Sequence, residues 1–290
     1  MIIMLPLERP FVRFFDLISG QNAGMQVALF HLIFNIASAI LFIPFVKQIV
    51  WASEKVIKDK KPEVAVEKLK FLDERILNTP AIAIAQILKE ITAMAHLAET
   101  NMDLAMSDII NKTDANSDTI EKNERQLNYL NKAITNYLVR ISSLNISPKD
   151  EKLVGTLYHV VSDIERIGDH SENLMEAAQI LVNNSIGLSE EAQKELMTMY
   201  QKVKLLYRDA LYVFDKRDLN MIKEVNRREE EIDNMKREFT NNHIDRLHQG
   251  VCSVESGEVF YEVTTNLERI ADHLTNIAYS VRERSTQKAI

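Results

Sequence analysis

The sequence predicts an all-α protein, an N-terminal transmembrane helix followed by two tandem three-helix bundles. Three observations predict it. No Asp, Glu, Lys or Arg occurs from Leu17 to Val46. Beyond residue 79 apolar residues recur at helical spacing almost to the end, with few Gly or Pro to interrupt them. Finally, one acidic block occurs twice, at the same place in each half.

The uncharged stretch has its apolar heart between Met25 and Val46, with Phe30, Leu32, Ile33, Phe34, Ile36, Ile40, Leu41, Phe42 and Ile43. At about 1.5 Å per residue it matches a bilayer core of roughly 30 Å, and a long buried core helix is the alternative. Trp51 suits the interfacial belt. Lys47, Lys55, Lys58, Lys60 and Lys61 follow the stretch, whereas only Arg9 and Arg13 precede it. This asymmetry expects a cell (inner) membrane protein whose C-terminal helical part is cytoplasmic. His31 and Asn35 share one face, and polar groups at that depth usually face other helices, so a partner bundle is implied.

Thr79-Pro80 opens the first long helix, with Thr as N-cap; Ile84, Ile87, Leu88, Ile91, Met94, Ala95 and Ala98 form its apolar face. A polar break from Thr113 to Ser117 ends it. The second helix covers about 119–143, with Leu127, Leu130, Ile134, Tyr137, Leu138 and Ile141 on one side. Ser147-Pro148 caps the third, which reaches about Val182, and Asn183 to Gly187 separates the halves. Ser189 starts a fourth, Asp218 to His248 forms a fifth with Gly250 as its stop, and Ser253 caps a sixth reaching about Arg284. The expected division is 1–50 membrane segment, 51–78 linker and junction, 79–184 first bundle and 185–290 second bundle.

Composition narrows the function. A net charge of −7 and a pI near 5.6 argue against a nucleic-acid partner and suit carboxylates reserved for a cation. Cys252 is the only cysteine, so neither an internal disulfide nor a zinc-thiolate site is available. No basic pocket for phosphate is legible.

The repeat carries the chemistry. Glu165-Arg166-Ile167-Gly168-Asp169-His170, followed by Asn173, returns as Glu268-Arg269-Ile270-Ala271-Asp272-His273, followed by Asn276. The preceding helices match more weakly, Glu124 with Asn128 against Glu229 with Asp233. Carboxylates four apart project from one helical face and repel by roughly 0.2–0.5 kcal/mol per pair. Facing pairs from two helices would build an oxygen-rich site for a divalent metal or iron ion. The spacing equally allows a solvated charged face neutralised by nearby Arg or Lys. His170 and His273 lie off the carboxylate face and suit packing or hydrogen bonding better than ligation.

At these blocks the chain resembles the PhoU family of phosphate-uptake regulators. The resemblance implies two three-helix bundles in tandem and clusters of iron or other metal ions held by Glu/Asp-x-x-x-Asp motifs. Carried to this chain, it implies Glu165, Asp169, Glu268 and Asp272 as ligands, supported by Glu229 and Asp233, with Glu124 opposite the first pair. Asn128 departs from the pattern, which makes the first site the less complete.

Upstream, Phe71 to Ala81 is similar to the junction in bacterial sodium/phosphate cotransporters fused to a PhoU-like domain. Leu29 to Asn35 with Phe42-Ile43-Pro44-Phe45 looks like their last membrane helix. No Gln-Ser-Ser motif occurs, and one helix encloses no transport pathway. The chain therefore looks like the C-terminal portion of such a transporter; a truncated gene, a split subunit and a late start codon are equally compatible. Implied partners are the membrane, a transporter membrane domain or other phosphate-transport proteins, sodium and phosphate, with a homo-oligomer also allowed. The expected role is regulatory rather than enzymatic: no His follows Glu at the Glu-x-x-His spacing of di-iron enzymes, and no phosphate-binding Gly loop is present. A stand-alone membrane-anchored regulator of another phosphate system is the alternative, and a purely structural coiled-coil adaptor leaves the duplicated acids unexplained.

Overall fold

The computed structural model describes residues 23–46 and 69–285. Arg9, Arg13, Trp51 and the lysines from Lys47 to Lys61, on which the membrane orientation was read, lie outside the described residues. Among the described residues all regular structure is helical. Helix α1 is Ala23–Phe42, α2 Pro80–Asn111, α3 Ser117–Ser142, α4 Pro148–Asn183, α5 Glu190–Lys216, α6 Ile222–His248 and α7 Val254–Ser285.

The chain divides into two units, Met1–Glu63 and Val64–Ile290. In the first, α1 carries no acidic residue in its first turn and no basic residue in its last. Leu32, Phe34, Ile36, Ile40 and Leu41 on it are all exposed. A short 3-10 turn, Ile43–Phe45, follows, with Pro44 near its start.

In the second unit α2, α3 and α4 form one three-helix set and α5, α6 and α7 another. Helices α4 and α7 are the spine: each packs on both partners of its own set and on the other. Their buried stripes, Val160, Ile164, Ile167 and Leu174 on α4 and Val263, Leu267, Ile270 and Leu274 on α7, show why. Apolar residues recur every third or fourth position, so one continuous face leaves water. On the opposite side α2 meets α5, where the Tyr207 hydroxyl donates to the Ala95 carbonyl at 2.6 Å. Helix α2 is also long and apolar enough to cross a bilayer. Its face is filled by the core instead, and buried Glu90, Asn101 and Asp108 all find partners within the bundle.

Local signals set the ends. Ser147 and Ser189 accept the backbone N–H groups of Asp150 and Ala192, and Ser253 accepts that of Ser256, as N-caps do. Gly250, at φ +70°, closes α6 in the left-handed region that glycine tolerates. Two helix starts differ in detail from expectation. Thr79 stands at the N-cap before Pro80 as expected but makes no side-chain cap bond; the N–H of Ile82, which such a cap would take, donates to the Thr79 backbone carbonyl instead. The fifth helix begins at Ile222 after a 3-10 turn, since the Asp218 carboxylate holds the Asn220 N–H and tightens the start.

Residues 69–78, read as part of a linker, are packed rather than loose. Leu77 is buried, and Leu69, Leu72 and Ile76 rest against the core. Buried Glu90 on α2 accepts the backbone N–H groups of Phe71 at 2.8 Å and Lys70 at 3.2 Å. Tyr137 on α3 donates its hydroxyl to the Asp73 carbonyl at 2.9 Å.

Candidate metal centre

Each repeat places its acidic pair on the spine helix, facing the preceding helix of its own set. In the second repeat, Glu229 and Asp233 on α6 approach Asp272 on α7. One carboxylate oxygen from each of these three lies within 4.8 Å of the others. Burial raises the pKa of Glu229, and the charges of Asp233 and Asp272 raise it further. Burial likewise raises those of Asp233 and Asp272, each also beside Glu268. One oxygen of Asp233, Oδ1, is buried without a hydrogen-bond partner. Crowded, half-desolvated carboxylates with an unsatisfied oxygen are what a cation would relieve, and an all-oxygen set suits a hard or borderline ion.

Glu268 is placed differently. Its carboxylate lies 3.0 Å from Lys236 Nζ and 3.7 Å from Arg269. Arg269 also reaches Asp272 at 3.5 Å. The solvated-face alternative therefore accounts for part of this surface, Asp272 of the trio included, since its side chain is 36% exposed and within reach of Arg269.

The first repeat is deeper and less complete. Glu124 on α3 is only 4% exposed, and burial, with Asp169, Glu172 and Glu165 adding repulsion, pushes its pKa up to about 8. Asn128 donates to its Oε1 at 2.9 Å, and Oε2 is buried with no partner. The closeness comes from Gly168: a methyl there would lie 2.8 Å from Glu124 Oε2. The second repeat has Ala271 at that position, and its Glu229 stays half-buried. Burial raises the Glu165 pKa, with Asp169 adding to it, and Asn131 hydrogen-bonds its carboxylate. Arg166 pairs with Asp169 at 2.9 Å.

His170 and His273 are not on these faces. They stack across the α4–α7 junction with ring centroids 5.6 Å apart. His170 Nδ1 lies 2.9 Å from Asn266 Oδ1, and His273 Nδ1 lies 2.9 Å from Asp163 Oδ1. Asn173 and Asn276 donate to the same two acceptors. Equivalent residues of the two repeats thus clamp each other across a pseudo-twofold axis, a hydrogen-bonding role that the sequence reading had preferred.

Sequence reasoning missed Glu172, Lys236, Asn131 and the Gly168/Ala271 exchange. The signal existed for Lys236 and Asn131, which sit seven residues after Glu229 and Glu124 and so two turns further along the same face.

The PhoU domain model matches this chain twice, over residues 91–178 and 196–281. The Salmonella typhimurium protein named "Putative inorganic phosphate export protein YjbB" is 24% identical over 99% of this chain and 53% of its own length. This chain spans about half the length of that relative. A Clostridium acetobutylicum protein named as a phosphate-specific transport system accessory protein PhoU homolog is 25% identical over 71% of this chain and 93% of its own length. The crystal structure of PhoU from Pseudomonas aeruginosa superposes with a TM-score of 0.65 at 21% identity, covering 71% of this chain and 96% of that one. The Streptococcus pneumoniae regulatory protein PhoU gives the same TM-score at 20% identity, covering 73% of this chain and 99% of that one. Since the family model covers more than half of its length, in two copies that coincide with the duplicated acidic helices, the chain belongs to the PhoU domain family.

Proposed function

We propose that this protein is a metal-binding regulator of phosphate transport, attached to the membrane through α1 and acting on a sodium-dependent phosphate transporter. The observation that carries the reading is the pair of acidic centres, each with a buried, unpartnered carboxylate oxygen: Glu124 Oε2 in the first and Asp233 Oδ1 in the second. Bound iron or another divalent ion supplies the positive charge that neutralises and locks these helix faces. Glu229, Asp233 and Asp272 hold it in the second repeat; Glu124, Glu165 and Asp169 hold it in the first. Glu268 joins only on leaving Lys236. No step of covalent catalysis is called for, and the role is regulatory.

The membrane attachment is supported by the apolar, exposed surface of α1 and by a length of about 30 Å for its 20 residues. The helical unit is then cytoplasmic. The transport context is supported by the phosphate export protein, which aligns over nearly the whole chain, α1 included. The division into 1–50, 51–78, 79–184 and 185–290 belongs to the same proposal, with 69–78 serving as an ordered strap. The PhoU homologs that match only the helical unit favour a second reading, a stand-alone regulator of another phosphate system.

The test measures phosphate flux with radiolabelled phosphate in cells carrying the wild-type chain, no chain, or Asp233→Asn/Asp272→Asn. The proposal expects flux to change on deletion and the double variant to resemble the deletion. Identical flux in all three would reject it. Dependence on sodium separates the first reading from the second.

A further inference from the structure

We infer that Lys236 sets the capacity of the second centre: its ammonium holds Glu268 away from the carboxylate trio and limits this centre to one divalent cation. The inference rests on the metal reading above and deepens it.

Lys236 lies on the carboxylate face of α6, two turns beyond Glu229 and one beyond Asp233. Its Nζ sits 3.0 Å from Glu268 Oε2, with the two side chains only 20% and 17% exposed. The ion pair is thus half-buried rather than swept by solvent. An ammonium has three donors and no lone pair, so Lys236 cannot ligate a metal and repels one. Arg269 adds a second positive charge against Glu268 and Asp272. Five acids, Glu229, Glu230, Asp233, Glu268 and Asp272, then stand against three cations, Lys236, Arg237 and Arg269. The negative charge left unmatched equals that of one divalent ion.

The first repeat shows what the position looks like without the ammonium. Asn131 stands there and hydrogen-bonds Glu165, the counterpart of Glu268, without bringing a positive charge; Arg166, the counterpart of Arg269, lies 4.0 Å from it. The two centres are therefore copies in backbone and different in chemistry: one carries a built-in cation, the other a neutral amide.

The experiment uses the full chain in detergent, stripped with chelator and titrated with Mn²⁺ alone. Bound Mn²⁺ is read by calorimetry and elemental analysis. Four proteins are compared: wild type, Lys236→Asn, Lys236→Arg and Asp272→Asn. Lys236→Asn is expected to bind Mn²⁺ roughly tenfold more tightly at the second centre, or to take one further equivalent, because a nearby like charge is gone. Its metal-free melting temperature should fall and its Mn²⁺-induced rise should grow. Lys236→Arg keeps the charge and should bind as wild type. If Lys236→Asn does not fold, Lys236→Gln makes the same test. Unchanged Mn²⁺ binding in the neutral variant, with binding still lost in Asp272→Asn, would overturn the role of Lys236 and leave the metal centre standing. No Mn²⁺ binding that depends on Asp272 would overturn both.

Discussion

Gly168 on α4 lies so close to Glu124 on α3 that a single added methyl would sit 2.8 Å from Glu124 Oε2 and 2.7 Å from Leu127 Cδ1. The absent side chain is what lets a carboxyl sink into the α3–α4 interface. In Gly168→Ala both clashing atoms are ends of flexible side chains, so Glu124 should swing toward water rather than the helix break. The alanine also gains about 1 kcal/mol of helix propensity. Net stability should therefore change by less than about 1 kcal/mol, while the Glu124 pKa falls from about 8 toward the ordinary carboxylate range. Carbon-13 NMR of the Glu carboxyls reads this directly; a Glu124 resonance still titrating near pH 8 would contradict it.

The raised pKa of Glu124 makes folding pH-dependent with a definite sign. Between the ordinary Glu value of 4.5 and about 8 the folded chain keeps a proton that the unfolded chain has released. Stability from this group is full below that window and declines as pH rises through it. In chelator, urea midpoints should fall from pH 5.5 to 8.5 for the wild type. Glu124→Gln, neutral throughout, should show a clearly flatter profile. Equal slopes for the two proteins would count against a buried, protonated Glu124.

The second centre should trade stability with its ion. Metal-free, Asp233→Asn and Asp272→Asn relieve like-charge crowding and should each stabilise the fold by a few tenths of a kcal/mol. With a divalent ion at about 100 times its dissociation constant, the wild type gains roughly 2.7 kcal/mol that the variants lack. Melting curves with and without Mn²⁺ would then cross over between wild type and variants. Parallel shifts in all of them would place the ion elsewhere.

Glu90 should act as the latch of the 69–78 strap, since its two oxygens accept the amides of Lys70 and Phe71. Glu90→Gln exchanges one acceptor oxygen for an NH2 group that faces a donor. Bonds of this charge-assisted kind are each worth about 1.5–3 kcal/mol. Hydrogen exchange at Lys70 and Phe71 should accelerate by at least tenfold, while the α4–α7 core keeps its protection. Unchanged exchange at these two amides would mean that packing of Leu77 alone holds the strap.

How much of this was legible beforehand follows from which interactions are local. Helix number and most ends could be read because caps such as Ser147 and Ser189, and the stop at Gly250, act within a turn of their own position. The apolar faces of Ile134 or Ile167 were equally plain, because helical periodicity is a property of one segment. The acids that form the candidate centres were visible because duplication wrote Glu165/Asp169 and Glu268/Asp272 twice. Amino-acid order by itself thus determined an all-helical, duplicated, acid-faced chain with an uncharged apolar stretch near its start. Only the tertiary structure decided that Glu124 is buried with its pKa pushed up, that Lys236 from the facing helix joins Arg269 of Glu268's own helix in neutralising Glu268, and that His170 and His273 clamp α4 to α7. The physical reason is that burial and Coulomb energy depend on which helix lies opposite, at a few ångströms, and that partner is more than thirty residues away in sequence for Lys236 and Glu268 and about a hundred for the histidines.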